Sequence, residues 1–237
     1  MNDHQYTLLI TILPSLVIIA FFIFSDRFKE PPPLVMKVFL LGILICFPAG
    51  YLNGLMFDIF YDGTLFSEDL TSSFLGPAWT EEILKFFILY RYVLREKEFN
   101  EPMDGIVYGV VASLGFATYE NYDYVFRLAE TYNLERIDLA YIRAFSAVPM
   151  HGLNGCIMGF FFGKFVFTGK RRFLSFSLIF PYLFHGAYNF LVPTNYYIVV
   201  LVIMFIMALK LHNELKKLQK RKTKEHEKKK RFSFFSF

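Results

Sequence analysis

The chain has 237 residues, 55% of them hydrophobic, a mean hydropathy of +0.39 and a formal net charge of +4. Such a balance excludes an ordinary water-soluble domain and marks a chain whose solvent is lipid. The positive excess comes from the tail after Lys210, so it indicates no nucleic-acid partner. The two cysteines, Cys46 and Cys156, lie in apolar stretches and read as reduced packing residues, with no disulfide scaffold.

In chain order, seven segments are long enough, or nearly so, to cross a hydrocarbon core of roughly 30 Å, which takes about 20 helical residues. They cover 7–24, 34–57, 71–94, 105–126, 144–167, 173–192 and 196–211. The first contains Pro14, with no basic residue ahead of it and no small-residue cleavage site, and reads as an uncleaved helix. The stretch 127–143 between the fourth and fifth segments is expected to form an amphipathic helix at the outer surface. The predicted fold is all-α, a polytopic bundle of about seven transmembrane helices over 1–211, followed by a basic tail over 212–237.

Lys and Arg in short connections are retained on the cytoplasmic side, and here they alternate. Arg27, Lys29 and Lys37 follow the first segment, Arg91, Arg95 and Lys97 the third, and Lys164, Lys170, Arg171 and Arg172 the fifth. Asp58, Asp62, Glu68 and Asp69 instead fill the connection between the second and third. The amino terminus is therefore expected outside and the Lys-rich tail inside, beside anionic lipid.

Ionisable groups inside these segments are costly and point to function. In the third, Lys85 follows Glu81 by four residues and Glu82 by three, so one lysine faces two carboxylates. A structural ion pair explains one Glu and the Lys but leaves the second Glu over. In the fourth, Glu120 has no Lys or Arg within a helical turn, so its partner must come from another helix or from water. Gly105, Gly109, Ser113 and Ala117 recur at every fourth position there, and Gly155, Gly159 and Gly163 answer in the fifth, in a row headed by His151. Such stripes let helices approach closely and are common packing devices; this one carries Glu120 towards His151. In the sixth, His185 and Asn189 share a face. By rise per residue, Glu81, Glu120, His151 and His185 all fall roughly 9 to 15 Å below the outer boundary.

Peptide hydrolysis needs an activated water, stabilisation of an oxyanion and a proton for the leaving amine. Glu81 is suited to take the water proton, Glu120 to orient the water, and His185 with Asn189 to donate to the oxyanion, with Glu82 and Lys85 positioning Glu81. This version needs no cofactor and is the one the residues favour. A second version places zinc on Glu120, His151 and His185, leaving Glu81 as base.

The runs Thr80-Glu81-Glu82-Ile83-Leu84-Lys85, Asp104-Gly105-Ile106-Val107-Tyr108-Gly109, Gly115-Phe116-Ala117-Thr118-Tyr119-Glu120-Asn121 and His185-Gly186-Ala187-Tyr188-Asn189, with the His151 segment between, resemble the PrsW intramembrane proteases over nearly the whole chain. The resemblance implies a multi-pass protein of a bacterial cell membrane. It would make the first, extracytoplasmic-side cut in a single-span anti-sigma factor, leading to release of sigma-W. More distantly, the chain is similar to the glutamate-dependent CAAX prenyl endopeptidases, in which Glu81 would match the catalytic glutamate and His185 with Asn189 the oxyanion pair. Glu120 stands where those relatives carry a histidine, and Lys85 one position before their arginine. The rival readings are an ion- or proton-coupled transporter, which usually shows paired repeats and a site near the midplane, and a noncatalytic membrane chaperone or sensor.

Overall fold

The computed structural model describes residues 2–234, with side chains described through Arg221 and at Thr223. Helices α1 (Asp3–Ser25), α2 (Pro32–Leu44), α3 (Cys46–Phe60) and the short α4 (Leu65–Leu70) come first. A π-helical stretch, Thr71–Ala78, then leads into α5 (Trp79–Arg91). After α6 (Pro102–Asp123) the chain passes through a second π-helical stretch, Tyr124–Leu128, to α7 (Arg136–Phe145), α8 (Ala147–Thr168), α9 (Arg171–Leu191) and α10 (Tyr197–Phe234). No strand occurs among the described residues, as expected of an all-α bundle.

Local chemistry sets several of these boundaries. Asn2 and Gln5 form a reciprocal capping box at the start of α1. Helices α2 and α3 make one apolar stretch of 29 residues, Pro32–Phe60, broken at Ile45. The break follows from Pro48, which has no N–H to offer the carbonyl of Leu44. Gly169, at φ 67°, closes α8 in the left-handed conformation that glycine adopts without strain.

Helix α6 is the axis of the bundle, packed against α8, α2 and α1. Every side chain on it from Met103 to Thr118 is buried. The outer helices reverse the usual pattern, with Val17 and Phe21 of α1, Phe47 and Tyr51 of α3 and Val202 and Phe205 of α10 all exposed. Glu81, Glu82, Lys85, His151 and His185 are buried instead. An apolar exterior around a charged interior identifies a multi-pass membrane protein. By length and composition, three helical stretches among the described residues suffice to cross a membrane: Asp3–Ser25, Pro32–Phe60 and Tyr197–Arg221.

The small-residue seam forms between α6 and α8. A Cβ placed on Gly109 would lie 2.4 Å from the Gly155 carbonyl oxygen, and one on Gly159 only 2.0 Å from that of Gly105. Backbone therefore meets backbone along these four positions, which only glycine permits. The amphipathic segment between the fourth and fifth segments forms as α7, with Leu139, Ala140 and Ala144 turned inward and Ile142 and Phe145 exposed. The last helix runs on past residue 211 without a break, and His212, Leu215 and Gln219 are buried against the body. The tail from 212 thus begins as a continuation of the final helix, and its end, 235–237, lies outside the described residues.

Candidate active site

Glu81 and Glu82 sit in the first turn of α5, immediately after the π-helical stretch with Pro77 inside it. Widened turns of this kind leave backbone groups free to re-aim the side chains that follow. Thr80 hydrogen-bonds Asn53 of α3 and anchors that turn. One turn on, the Lys85 ammonium reaches back to both carboxylates, 3.3 Å from Glu81 Oε2 and 2.9 Å from Glu82 Oε1. It also stands 4.2 Å from the centre of the Phe116 ring. All three charged side chains are buried, so their mutual pairing replaces water.

Two imidazoles close the other side. His185 of α9 places Nδ1 2.8 Å from Glu82 Oε1 and Nε2 3.9 Å from Glu81 Oε2. His151 of α8 places Nδ1 3.0 Å from Lys85 Nζ and Nε2 3.0 Å from Glu120 Oε2. The rings meet edge to face at 5.2 Å. These partners assign the tautomers: His185 donates from Nδ1 to Glu82, while His151 accepts from Lys85 at Nδ1 and donates from Nε2 to Glu120. The lone pair of His185 Nε2 is left on the side of the Glu81 carboxylate, whereas that of His151 Nδ1 is engaged by Lys85.

Glu120, at the far side of His151, also accepts from Arg143 Nη2 at 2.7 Å. Arg143 lies on α7, gives a second hydrogen bond to Asn121 Oδ1 at 2.7 Å and packs over the Tyr124 ring at 3.8 Å. Asn121 in turn donates to the Thr11 carbonyl of α1 at 2.8 Å. A carboxylate with no cation in its own turn is thus fixed by an arginine from the surface helix. Nothing in the sequence separates Arg143 from Arg127, which pairs with Asp123, or Arg136, which pairs with Glu130. Asn154 was equally silent in sequence: its amide donates to the Pro181 carbonyl at 3.1 Å and ties α8 to α9 one turn before His185.

The structure brings Glu81, Glu82, Lys85, His151 and His185 into one cluster, with Glu120 joined to it through His151. Asn189 is half-buried one turn beyond His185 and makes no side-chain hydrogen bond among the described residues. Its amide remains available to a ligand. For a metal, the donor atoms that converge belong to Glu81, His151 and His185, all within 4.8 Å of one another. This set has Glu81 where the sequence-derived zinc set has Glu120. Two imidazoles and a carboxylate suit catalytic zinc, and each imidazole carries a carboxylate on its other nitrogen, Glu82 for His185 and Glu120 for His151. The donor set therefore fits a zinc ion, with the Lys85 ammonium as the cation now beside it.

A family model described as the PrsW family intramembrane metalloprotease matches residues 30–211, which include all of these side chains. The chain belongs to the PrsW family. It is 35% identical to the Protease PrsW of Geobacillus kaustophilus over 183 residues, 76% of each chain. The Protease PrsW of Bacillus subtilis is 35% identical over 184 residues, 76% of this chain and 79% of that one. With the Protease PrsW of Clostridioides difficile the identity is 33% over 220 residues, 90% of both chains. No solved structure matches. PrsW membership makes the chain a membrane protease, and the matched span takes in the whole of the buried cluster.

Proposed function

We propose that the chain is a bacterial zinc-dependent endopeptidase that makes the first, outer-side cut in a single-span anti-sigma factor. The observation that carries the metal-dependent reading is the convergence of Glu81, His151 and His185 donor atoms within 4.8 Å, each imidazole backed by a further carboxylate. Glu81, His151 and His185 would hold the ion. When bound, zinc supplies a Lewis acid and a water that is nucleophilic near neutral pH.

The other side chains have roles that follow from their contacts. Glu82 Oε1 is committed to Lys85 and His185, whereas Glu82 Oε2 is buried with no hydrogen-bond partner among the described residues. In this reading that oxygen would accept a proton from the attacking water. Lys85 pairs with both adjacent carboxylates and holds them side by side. Glu120, clamped by Arg143, holds the His151 tautomer, and the Asn189 amide donates to the substrate carbonyl oxygen.

Family membership supports the protease class, and the charge pattern of the connections supports an amino terminus outside and a cytoplasmic tail across seven crossings. The test uses purified protein in lipid with a single-span anti-sigma factor as substrate. Wild type is expected to cleave it, to lose cleavage to a strong chelator and to regain it with zinc. Cleavage that persists in chelator would overturn the zinc assignment, and equal cleavage by Glu81→Gln and His185→Ala would overturn the site. For topology, Asp62→Cys should react with an impermeant thiol reagent from outside and Lys170→Cys should not.

A further inference from the structure

A second cluster of carboxylates lies at the opposite end of α6. Asp26 and Glu30, in the connection from α1 to α2, meet Asp104 in the first turn of α6, and all three are buried. One carboxylate oxygen from each lies within 4.8 Å of the others. Asp104 is sixteen residues from Glu120 along the same helix, a separation of about 24 Å. This pocket is therefore distinct from the cluster around Glu81 and owes nothing to the protease reading.

Partners account for only part of its negative charge. Asp104 Oδ2 caps α6, accepting from the backbone N–H groups of Asn100 and Glu101 at 2.8 Å each. Asp26 Oδ1 accepts from Phe28 N at 3.1 Å and from Gln219 Nε2 of α10 at 2.6 Å. Gln219 also donates to Glu101, and the Tyr108 hydroxyl donates to Glu30. That leaves Asp104 Oδ1 and Asp26 Oδ2, both buried and without a hydrogen-bond partner among the described residues. No Lys, Arg or His among the described residues forms an ion pair with Asp26, Glu30 or Asp104. Lys29, adjacent to Glu30, instead donates to the backbone carbonyls of Ile23 at 2.8 Å, Phe24 at 2.9 Å and Asp26 at 2.5 Å.

We infer that Asp26, Glu30 and Asp104 form a binding site for a hard divalent cation, Mg2+ or Ca2+. Two orphaned carboxylate oxygens in one buried pocket are costly unless a cation or protons satisfy them. An all-oxygen donor set selects hard cations over zinc. Such an ion would tie the first connection, the start of α6 and, through Gln219, the final helix into one unit.

The test is calorimetric titration of Mg2+ and, separately, Ca2+ into metal-stripped full-length protein in lipid nanodiscs, with thermal unfolding as second readout. One saturable site is expected for at least one of the two ions, together with a higher unfolding temperature. Asp26→Asn and Glu30→Gln should each weaken binding at least tenfold, whereas Glu81→Gln should leave it unchanged. Asp104→Asn keeps an oxygen to cap α6, so its loss of binding can be read on a folded chain. The inference is overturned if neither ion binds saturably, or if Asp26→Asn and Glu30→Gln bind as wild type does. A variant that raises the unfolding temperature while wild type binds no ion would show that a shared proton fills the pocket instead.

Discussion

Gly155→Ala should inactivate the protease without touching a catalytic group. Its Cβ would stand 2.5 Å from the Gly109 carbonyl oxygen and 2.8 Å from Ser113 Cβ and Val110 Cα. Ordinary contact begins at 3.4 Å, so α6 and α8 must part by about 0.9 Å (3.4 less 2.5) at this level. His151 lies one turn away on α8 and its Nε2 is 3.0 Å from Glu120 Oε2 on α6. The same displacement draws that hydrogen bond towards about 3.9 Å, outside the working range. A misplacement of about 1 Å in a catalytic constellation costs on the order of 100-fold in rate, and overpacking costs about 1–3 kcal/mol in stability. The assay is substrate cleavage per folded molecule in lipid, beside thermal unfolding. Gly50→Ala is the control, since its Cβ would meet nothing within 4 Å, and it should be active and slightly stabilised, by about 0.5 kcal/mol or more. Full activity of Gly155→Ala at unchanged stability would refute the claim that backbone contact along this seam sets the Glu120–His151 distance.

Glu82→Gln and Glu81→Gln should both lose cleavage by at least about 100-fold, yet differ in zinc content: the first retains the ion and the second loses it, as elemental analysis of the purified proteins would show. Arg143→Met should cost about 3 kcal/mol, because it leaves the partly buried Glu120 carboxylate with His151 alone; Arg143→Lys should recover part of that stability but less of the activity, since one ammonium cannot serve Glu120 and Asn121 as the guanidinium fork does. Outside the membrane, the hydroxyls of Ser67 and Thr64 hold the exposed Asp62 carboxyl down, at about 2. A depressed folded value means that the stabilisation of this turn is present above the ordinary value of 3.8 and lost as pH falls through about 2, which a carboxyl titration by NMR at that side chain can follow.

Much of this was legible in the chain. The i, i+3 and i, i+4 spacing puts Lys85 on both glutamates, and the two rows of small residues identify the seam that joins α6 to α8. A missing cation near Glu120 announced a remote partner, but identifying it as Arg143 requires the fold of α7, because an arginine's reach is a property of three-dimensional placement. The proposed zinc set differs from the sequence-derived one for the same reason. Helical periodicity fixes which residues share a face, whereas the direction of each imidazole depends on which of its nitrogens finds a carboxylate. The acidic pocket at the other end of α6 was hidden more completely. Asp26 and Glu30 lie in a connection whose basic neighbours dominate the charge reading, and Gln219 lies in a tail whose lysines read as an anchor beside anionic lipid.

The unbroken α10 has a mechanical consequence. At 38 residues it is about 57 Å long, against roughly 30 Å of hydrocarbon. Leu215 and Gln219 face the bundle, while Lys210, Lys217, Lys220 and Arg221 are exposed on the remaining sides. The protein thus wears a cationic collar where its body emerges, attracted to anionic headgroups at about 1 kcal/mol per basic residue. Through the buried His212, Leu215 and Gln219 that attraction would be passed to the helices packed against α10, and so would set how deep the bundle sits in the bilayer.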